Sequence, residues 1–146
     1  MNILQRLEYW GDHHHPKWLD IIRIALGIFL LLKGVEFLNN TGEVMNMVDS
    51  YLSAGSLAVV VIGHYVVFAH ILGGFLLILG LLTRLACLIQ IPILLGAIIF
   101  AGQLLRPFSE VAIAVLILLL LVYFLIVGNG PWSFESIAQK ESKSKE

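Results

Sequence analysis

Four long apolar runs occupy most of this chain and constrain its fold more than any other feature. They cover roughly residues 18–37, 57–82, 85–103 and 111–127. Each run is close to the roughly 20 residues that an α-helix needs to cross the hydrocarbon core of a bilayer. We therefore expect an all-α integral membrane protein, in which four transmembrane helices form an antiparallel bundle.

The composition supports a location in the lipid bilayer and excludes several kinds of partner and site. Hydrophobic residues make up 59% of the 146 residues and charged residues only 13%, far from the averages of soluble domains. The net charge of −1 provides no basic surface, so we expect no nucleic acid as a partner. Cys87 is the single cysteine, which excludes an intramolecular disulfide and a Cys-x-x-Cys redox pair.

The sequence divides the chain into three parts. Residues 1–16 are predicted to be an interfacial segment with a short amphipathic helix, residues 17–130 hold the four spans, and residues 131–146 form a largely disordered cytoplasmic tail. A second short interfacial helix is predicted between the first two spans, where apolar residues recur at i, i+3, i+4 and i+7. These residues are Val44, Met45, Val48, Tyr51 and Leu52.

The basic residues of the short loops predict the orientation of the protein. With four spans, both termini and the loop between spans two and three lie on the same side of the membrane. The opposite side has only Arg106, with Lys33 near the edge of span one. The positive-inside rule therefore places both termini in the cytoplasm. The basic residues on the cytoplasmic side are Arg6, Lys17, Arg84, Lys140, Lys143 and Lys145.

Span one contains two pairs of oppositely charged residues at helical spacing. Asp20 and Arg23 are three residues apart, as are Lys33 and Glu36, so each pair can form an ion pair on one helix face. Ionisable residues inside a span are candidates for function. The alternative is that Asp20 and Glu36 lie at the two interfaces while their partners extend towards water along their aliphatic stems.

Span two contains two histidines, His64 and His70. They lie about 120° apart around a helix, so they cannot bind one metal ion from one face. Because no other span contains histidine, a haem held by two histidines of one chain is also not expected. His70 shares its face with a stripe of glycines and an arginine, which predicts close helix packing; a ligand-binding or proton-handling role for His70 is the alternative. The stripe consists of Gly63, Gly73, Gly80 and Arg84.

Span three contains two glutamines and a proline. Lipid cannot satisfy the amides of Gln90 and Gln103, so we expect them to face the helix bundle or the headgroups and to form interhelical hydrogen bonds. Pro92 lacks a backbone N–H, which predicts a kink and leaves the carbonyl of Leu88 in need of another partner.

A run of three histidines, His13, His14 and His15, precedes the first span. Neutral imidazoles bind transition metals. Three adjacent side chains cannot all point at one ion, however, so we expect a solvated loop and keep metal binding as the weaker alternative.

Sequence motifs of several enzyme classes are missing. There is no His-Glu-x-x-His, no Gly-x-Ser-x-Gly, no phosphate-binding glycine loop and no dinucleotide fingerprint. The catalytic residues, if the chain has any, therefore stay unknown, and we lean towards a chain that is not an enzyme on its own. The candidate polar site within the membrane consists of Arg23, Lys33, Glu36, His64, His70, Arg84 and Gln90.

Three short motifs lie at the span boundaries. Residues 23–27 read Arg-Ile-Ala-Leu-Gly, residues 80–84 read Gly-Leu-Leu-Thr-Arg, and residues 128–135 read Gly-Asn-Gly-Pro-Trp-Ser-Phe-Glu. Together they resemble the motifs of the DoxX family of small four-helix bacterial membrane proteins. They occur in the family's order and cover most of the chain. Many members carry a lysine where this chain has Phe37, and an aspartate where it has Glu135.

The resemblance implies a four-helix bundle in the bacterial inner membrane. Family members have been linked to thiosulfate:quinone oxidoreduction, to membrane-bound redox and oxidative-stress complexes, and to protein maturation. We therefore expect an accessory or docking subunit of a membrane redox or maturation complex, in contact with the lipid bilayer and with a membrane protein or a second copy of itself. The resemblance also implies that Arg84 pairs with carbonyls or with a carboxylate, for which Glu135 is a nearby candidate.

Two other functions remain open. One is a quinone-linked oxidoreductase component in which Arg23, His70 and Arg84 line a pocket and handle protons. We expect no cofactor that the chain holds on its own. In this alternative, a quinone is the possible cofactor. The other is a small oligomeric transporter or channel that uses Gln90, Gln103 and the charges of span one along a polar path.

Overall fold

The part of the chain that the structure describes consists of helices and short connections, with no strand. The computed structural model describes residues 2, 3, 6, 10, 17–52, 55–101, 107–128 and 134–144. Six helices follow one another in this part, and we number them in chain order. They are α1 (Lys17–Asn39), α2 (Thr41–Leu52), α3 (Ser56–Leu79), α4 (Thr83–Ala101), α5 (Phe108–Val127) and α6 (Phe134–Lys143).

Helices α1, α3, α4 and α5 correspond to the four apolar runs, and α2 is the short helix predicted between the first two. The predicted boundary is wrong at the end of α3, which stops at Leu79 rather than continuing to residue 82. Gly80 and Leu82 have φ angles of 68° and 46°, which a right-handed helix does not allow. The N–H groups of Gly80 and Leu81 close the helix end by donating to carbonyls of its last turn, as in a Schellman motif.

The C-terminal tail, predicted to be disordered, contains helix α6. Its sequence includes the good helix formers Ala138 and Gln139, and Lys140 and Lys143 lie in its last turn. Basic residues at that end favour a helix because they oppose the negative end of its dipole. The predicted N-terminal interfacial helix falls mostly outside the described residues, although Ile3, Arg6 and Trp10 are helical.

Two helices are long and apolar enough to cross a membrane, judged by length and composition. They are the stretch Leu57–Leu79 of α3 and helix α5, Phe108–Val127. The described apolar stretch of α4, Thr83–Ile99, is shorter, and α1 is interrupted by five charged side chains. Of the four expected spans, these observations support two. The charged residues of α1 are Lys17, Asp20, Arg23, Lys33 and Glu36.

The four long helices contribute side chains to one buried apolar cluster. Leu26 and Leu30 come from α1, Leu77 from α3, Cys87 from α4 and Phe124 from α5, together with further residues of α4 and α5. Helix α2 packs against α3, where Met45 lies against Gly63, and Val44 of α2 is buried. The buried polar side chains described below, those of Asp20, Arg23, His70 and Gln90, belong to helices that share a single core.

The contact between α1 and α3 is especially close because both helices present glycine there. A Cβ atom placed on Gly74 of α3 would lie 2.7 Å from the carbonyl oxygen of Gly27 and 2.6 Å from the backbone nitrogen of Leu31. Gly34, one heptad after Gly27, lies equally close to the backbone of Ile71. Only glycine permits this approach of two helix backbones.

Candidate functional site

A buried ion pair connects the beginning of α1 to the end of α3. Arg23 Nη1 donates to Asp20 Oδ1 at 2.7 Å, and Arg23 Nε donates to the carbonyl oxygen of Leu77 at 3.1 Å. Both charged side chains are 0% exposed. The pairing predicted from the spacing is confirmed, and both side chains are enclosed by the protein.

The second ion pair of α1 is partly exposed rather than buried. Lys33 Nζ donates to Glu36 Oε2 at 2.8 Å, and the two side chains are 42% and 53% exposed. Phe37 follows one residue later, and its ring meets the ring of His70 edge to face at a centroid distance of 5.2 Å. This pair therefore lies near His70 but on the outer side of the contact between α1 and α3.

The two histidines of α3 have the same local hydrogen bond but different surroundings. In each, Nδ1 lies 2.8 Å from the carbonyl oxygen four residues earlier, Val60 for His64 and Val66 for His70. A carbonyl only accepts, so Nδ1 carries the proton in both, and Nε2 of a neutral ring is an acceptor. His70 is 5% exposed, whereas His64 is exposed. The two rings therefore lie in different surroundings on α3.

The predicted small-residue stripe of α3 contacts three different helices. Gly63 lies against Met45 of α2, His70 against Phe37 of α1, and Gly73 against Gln90 of α4. The stripe therefore serves helix packing on several sides rather than lining one pocket. The sequence interpretation missed Gly74, although Gly27 and Gly34, seven residues apart on one face of α1, were a signal for such a partner.

Gln90 connects α4 to α3 in the buried interior. Its Nε2 donates to the carbonyl oxygen of Ala69 at 2.6 Å, which is the interhelical hydrogen bond predicted for Gln90. Its side chain covers Gly73, where a Cβ atom would lie 2.7 Å from Nε2. Gln90 Oε1 is buried and has no hydrogen-bond partner among the described residues. Two other buried atoms also lack a partner there, Arg23 Nη2 and Thr83 Oγ1.

A second connection between α3 and α4 comes from Tyr65, which the sequence interpretation missed. The Tyr65 hydroxyl donates to the carbonyl oxygen of Ile89 at 2.9 Å. Ile89 precedes Pro92 by three residues, in the turn where the proline ring disturbs the helical hydrogen bonds. Helix α4 continues through Pro92. The hydrogen bond from Tyr65 therefore stabilises the turn of α4 in which the proline removes a backbone hydrogen bond.

Arg84 connects the α3–α4 turn to the end of α5. Arg84 Nη2 donates to the carbonyl oxygen of Ile126 at 3.3 Å. Gly128, with a φ angle of 78°, would place a Cβ atom 3.0 Å from Arg84 Nε. The resemblance implied either carbonyls or a carboxylate as the partner of Arg84, and the structure shows a backbone carbonyl in contact with it. The side chain of Glu135 is not among the described side chains. Two of the sequence motifs quoted above thus meet in space.

Two hollows lie on the surface of α3. The larger, of about 460 Å³, is lined by Leu38 of α1, Thr41 of α2 and a row of α3 residues that includes His64 and Phe68. The smaller, of about 350 Å³, lies between α2 and α3 next to Asp49. Neither hollow is lined by Arg23, His70, Arg84 or Gln90.

No group of three His, Cys, Asp or Glu side chains among the described residues is placed to hold a metal ion. His13, His14 and His15, the weaker metal candidates, lie outside these residues, as does Gln103. The seven candidate residues are spread over several helix contacts and one exposed groove. Chemically, this arrangement holds helices together by hydrogen bonds; it does not converge on one reacting atom.

Comparison with known proteins agrees with the motifs at the helix ends. The family model described as DoxX matches residues 18–103, which is more than half of the chain. This segment runs from the start of α1 to the end of α4 and contains both the buried ion pair and Arg84. No curated protein and no solved structure matches the chain. The family match covers enough of the sequence to assign the protein, and the chain belongs to the DoxX family.

Proposed function

We propose that this DoxX protein is an antiparallel four-helix bundle of the bacterial inner membrane and serves as an accessory or docking subunit of a redox or maturation complex. In this proposal α1, α3, α4 and α5 cross the bilayer, and both termini lie in the cytoplasm. The partner is another membrane protein that supplies the reaction centre. The chain itself contributes a rigid membrane scaffold.

The observation that carries the proposal is which groups accept hydrogen bonds from the polar side chains. Four of them donate to a backbone carbonyl of a different helix, and such bonds stabilise helix association in a bilayer. Side chains used in this way are held in place and are not available as nucleophile or base. The donor and carbonyl residues are Arg23 and Leu77, Tyr65 and Ile89, Gln90 and Ala69, and Arg84 and Ile126.

A photo-crosslinking scan in native membranes tests the proposal. A benzophenone amino acid is introduced at one strongly exposed apolar position on each long helix, namely Leu32, Phe68, Leu88 and Leu119. We expect one or two of these positions to form an adduct with a second, different membrane protein, because a docking subunit uses one face for its partner. The remaining positions should crosslink only to lipid.

The buried Leu121, 0% exposed on α5, is the matched control, since a probe at this position cannot reach another protein. Adducts are identified by mass spectrometry after gentle extraction. If all four exposed positions yield only lipid adducts, or only adducts with a second copy of the chain, the accessory role is wrong.

One observation favours the quinone-linked alternative. His70 is almost fully buried and its Nε2 makes no hydrogen bond among the described residues, so it has a site for a proton donor. Replacement of His70 by Ala tests this function in membranes that contain the whole complex. Unchanged electron transfer to quinone, with the protein still present at wild-type amounts, would exclude it.

A further inference from the structure

Two buried polar atoms near the end of α3 have no hydrogen-bond partner among the described residues. They are Arg23 Nη2 of α1 and Thr83 Oγ1 of α4, and both side chains are 0% exposed. The other groups of Arg23 are occupied, since Nη1 donates to Asp20 and Nε donates to the carbonyl of Leu77. Native proteins leave few buried polar groups unpaired, because each one is costly. The two atoms therefore point to a ligand.

The alignment of α4 with α3 places Thr83 at the level of Arg23. Gln90 of α4 donates to the carbonyl of Ala69, and the two helices are antiparallel neighbours joined by a tight turn. Thr83 precedes Gln90 by seven residues, so it lies level with the turn of α3 about seven residues after Ala69. That turn contains Leu77, whose carbonyl accepts the hydrogen bond from Arg23.

The apolar core gives the same placement independently. Leu26 of α1 and Ala86 of α4 belong to one buried cluster. Helices α1 and α4 run in the same direction, since each is antiparallel to α3. Arg23 precedes Leu26 by three residues and Thr83 precedes Ala86 by three, so each lies one helical turn from its apolar neighbour, on the same face and towards the same end. The two unpaired atoms thus belong to the next layer of the core.

The chemistry of the two atoms favours water as the ligand. Arg23 Nη2 can only donate, whereas a hydroxyl both donates and accepts, so one water molecule can bond to both atoms. Asp20 already neutralises the charge of Arg23, which removes the attraction for an anion. Both side chains are enclosed, so the smallest polar molecule fits best. Buried waters in proteins bind to polar groups that the chain leaves unpaired.

We propose that a buried water molecule binds between Arg23 Nη2 and Thr83 Oγ1. Side-chain hydrogen bonds connect α1 to α3, α3 to α4 and α4 to α5, and the water adds a connection between α1 and α4. The site needs neither a protein partner nor a quinone. It therefore goes beyond the proposed function and does not depend on it.

Unfolding of the full-length protein in detergent micelles tests the site through the sign of one substitution. Thr83→Val keeps the shape of the side chain and removes its hydroxyl. If the hydroxyl holds the water, the equilibrium constant for unfolding should rise about fivefold, which is the effect of one lost hydrogen bond. If the hydroxyl has no ligand, its removal should leave stability unchanged or raise it, and that result would overturn the proposal.

The loss should also depend on Arg23. In a background that combines Asp20→Leu with Arg23→Met, the water has no donor on α1, and Thr83→Val should change the unfolding constant by less than about twofold. Thr41→Val is the matched control, because the Thr41 hydroxyl donates to the carbonyl of Leu38 and its removal should cost the same in both backgrounds. Equal losses for Thr83→Val in the two backgrounds would contradict the site.

Water-edited solid-state NMR of the protein in lipid bilayers detects the water directly. Thr41 and Thr83 are the two threonines of the chain, so ¹³C-labelled threonine gives two sets of signals, which Thr83→Val assigns. We expect transfer of polarisation from water to Thr83, and its loss in the background without Asp20 and Arg23, while transfer to the partly exposed Thr41 remains. No transfer to Thr83 in the unsubstituted protein, or transfer that persists in that background, would overturn the proposal whether or not the valine variant folds.

Discussion

At the scale of single residues, the two ion pairs of α1 have the same spacing and opposite environments. We expect Asp20→Ala to lower the free energy of unfolding by about 3–5 kcal/mol, because it leaves Arg23 charged and buried without its carboxylate. Glu36→Ala removes a pair that is about half exposed and should cost less than about 1 kcal/mol. Reversible unfolding in mixed detergent micelles measures both.

A third variant separates two effects on stability: the cost of leaving one charge buried without a partner and the contribution of the ion pair itself. Asp20→Leu combined with Arg23→Met replaces both charges with apolar groups, and should recover much of the stability lost in Asp20→Ala. Equal losses for Asp20→Ala and Glu36→Ala would contradict the difference in burial on which the prediction rests.

Tyr65 gives a second prediction at this scale. Tyr65→Phe removes only the hydroxyl that donates to Ile89, and should lower the free energy of unfolding by about 0.6 kcal/mol, with about 1.7 kcal/mol as the upper end for such bonds in membranes. Tyr123→Phe on α5 is the control, since its ring contacts Phe124 but no hydrogen bond of its hydroxyl contributes among the described residues. A larger effect at Tyr123 would contradict the assignment.

The sequence predicts contacts within a helix better than contacts between helices. The pairing of Asp20 with Arg23 follows from a local spacing of three residues, which every α-helix brings together. The carbonyls that Arg23 and Gln90 reach, those of Leu77 and Ala69, depend on how neighbouring helices are aligned. That alignment is set by the close contacts at the glycines, so it could not be predicted from either residue alone.

At the scale of helices, the contact between α1 and α3 depends on Gly74. Gly74→Ala places a methyl group against backbone atoms of α1, which cannot move aside without separating the helices. We expect a loss of about 1–3 kcal/mol in the free energy of unfolding. The measurement is the same detergent unfolding assay.

Gly96 in α4 is a matched control for this substitution. A Cβ atom at Gly96 meets nothing within 4 Å, so Gly96→Ala should leave stability unchanged or raise it by up to about 1 kcal/mol through reduced backbone entropy. A loss at Gly96 as large as at Gly74 would mean that the effect arises within the helix and not at the contact.

Helix ends were predicted less well than helices. The apolar runs identify α1, α3, α4 and α5, but no rule of hydrophobicity predicts that Leu82 adopts a positive φ, which is rare for a residue with a branched side chain. Composition also failed for α6, because Ser, Lys and Glu are common both in disordered tails and in short exposed helices. The order of the residues, with lysines in the last turn, is what favours a helix here.

At the scale of the whole molecule, the number of membrane crossings decides which surfaces face which compartment. Helices α3 and α5 have the length and composition of spans, while α1 carries the buried Asp20–Arg23 pair and α4 the buried Gln90. Both polar groups are enclosed by neighbouring helices, so neither needs to face lipid. A criterion of length and hydropathy recognises two spans because α1 contains five charged residues and the described apolar stretch of α4, Thr83–Ile99, is short.

Labelling of single cysteines in intact cells distinguishes the topologies. In a Cys87→Ala background, one cysteine replaces Lys17 at the start of α1, Glu43 on α2 or Glu141 on α6, three positions that are all exposed. If α1, α3, α4 and α5 all cross, a membrane-impermeant maleimide should label only the cysteine at position 43, whereas all three should react after the membrane is permeabilised. If only α3 and α5 cross, the three positions lie on one side, and if α1 alone fails to cross, position 17 reacts together with position 43. Either of these patterns would contradict the four-span arrangement, and labelling of positions 17 and 141 but not 43 would reverse the orientation predicted from the basic loops.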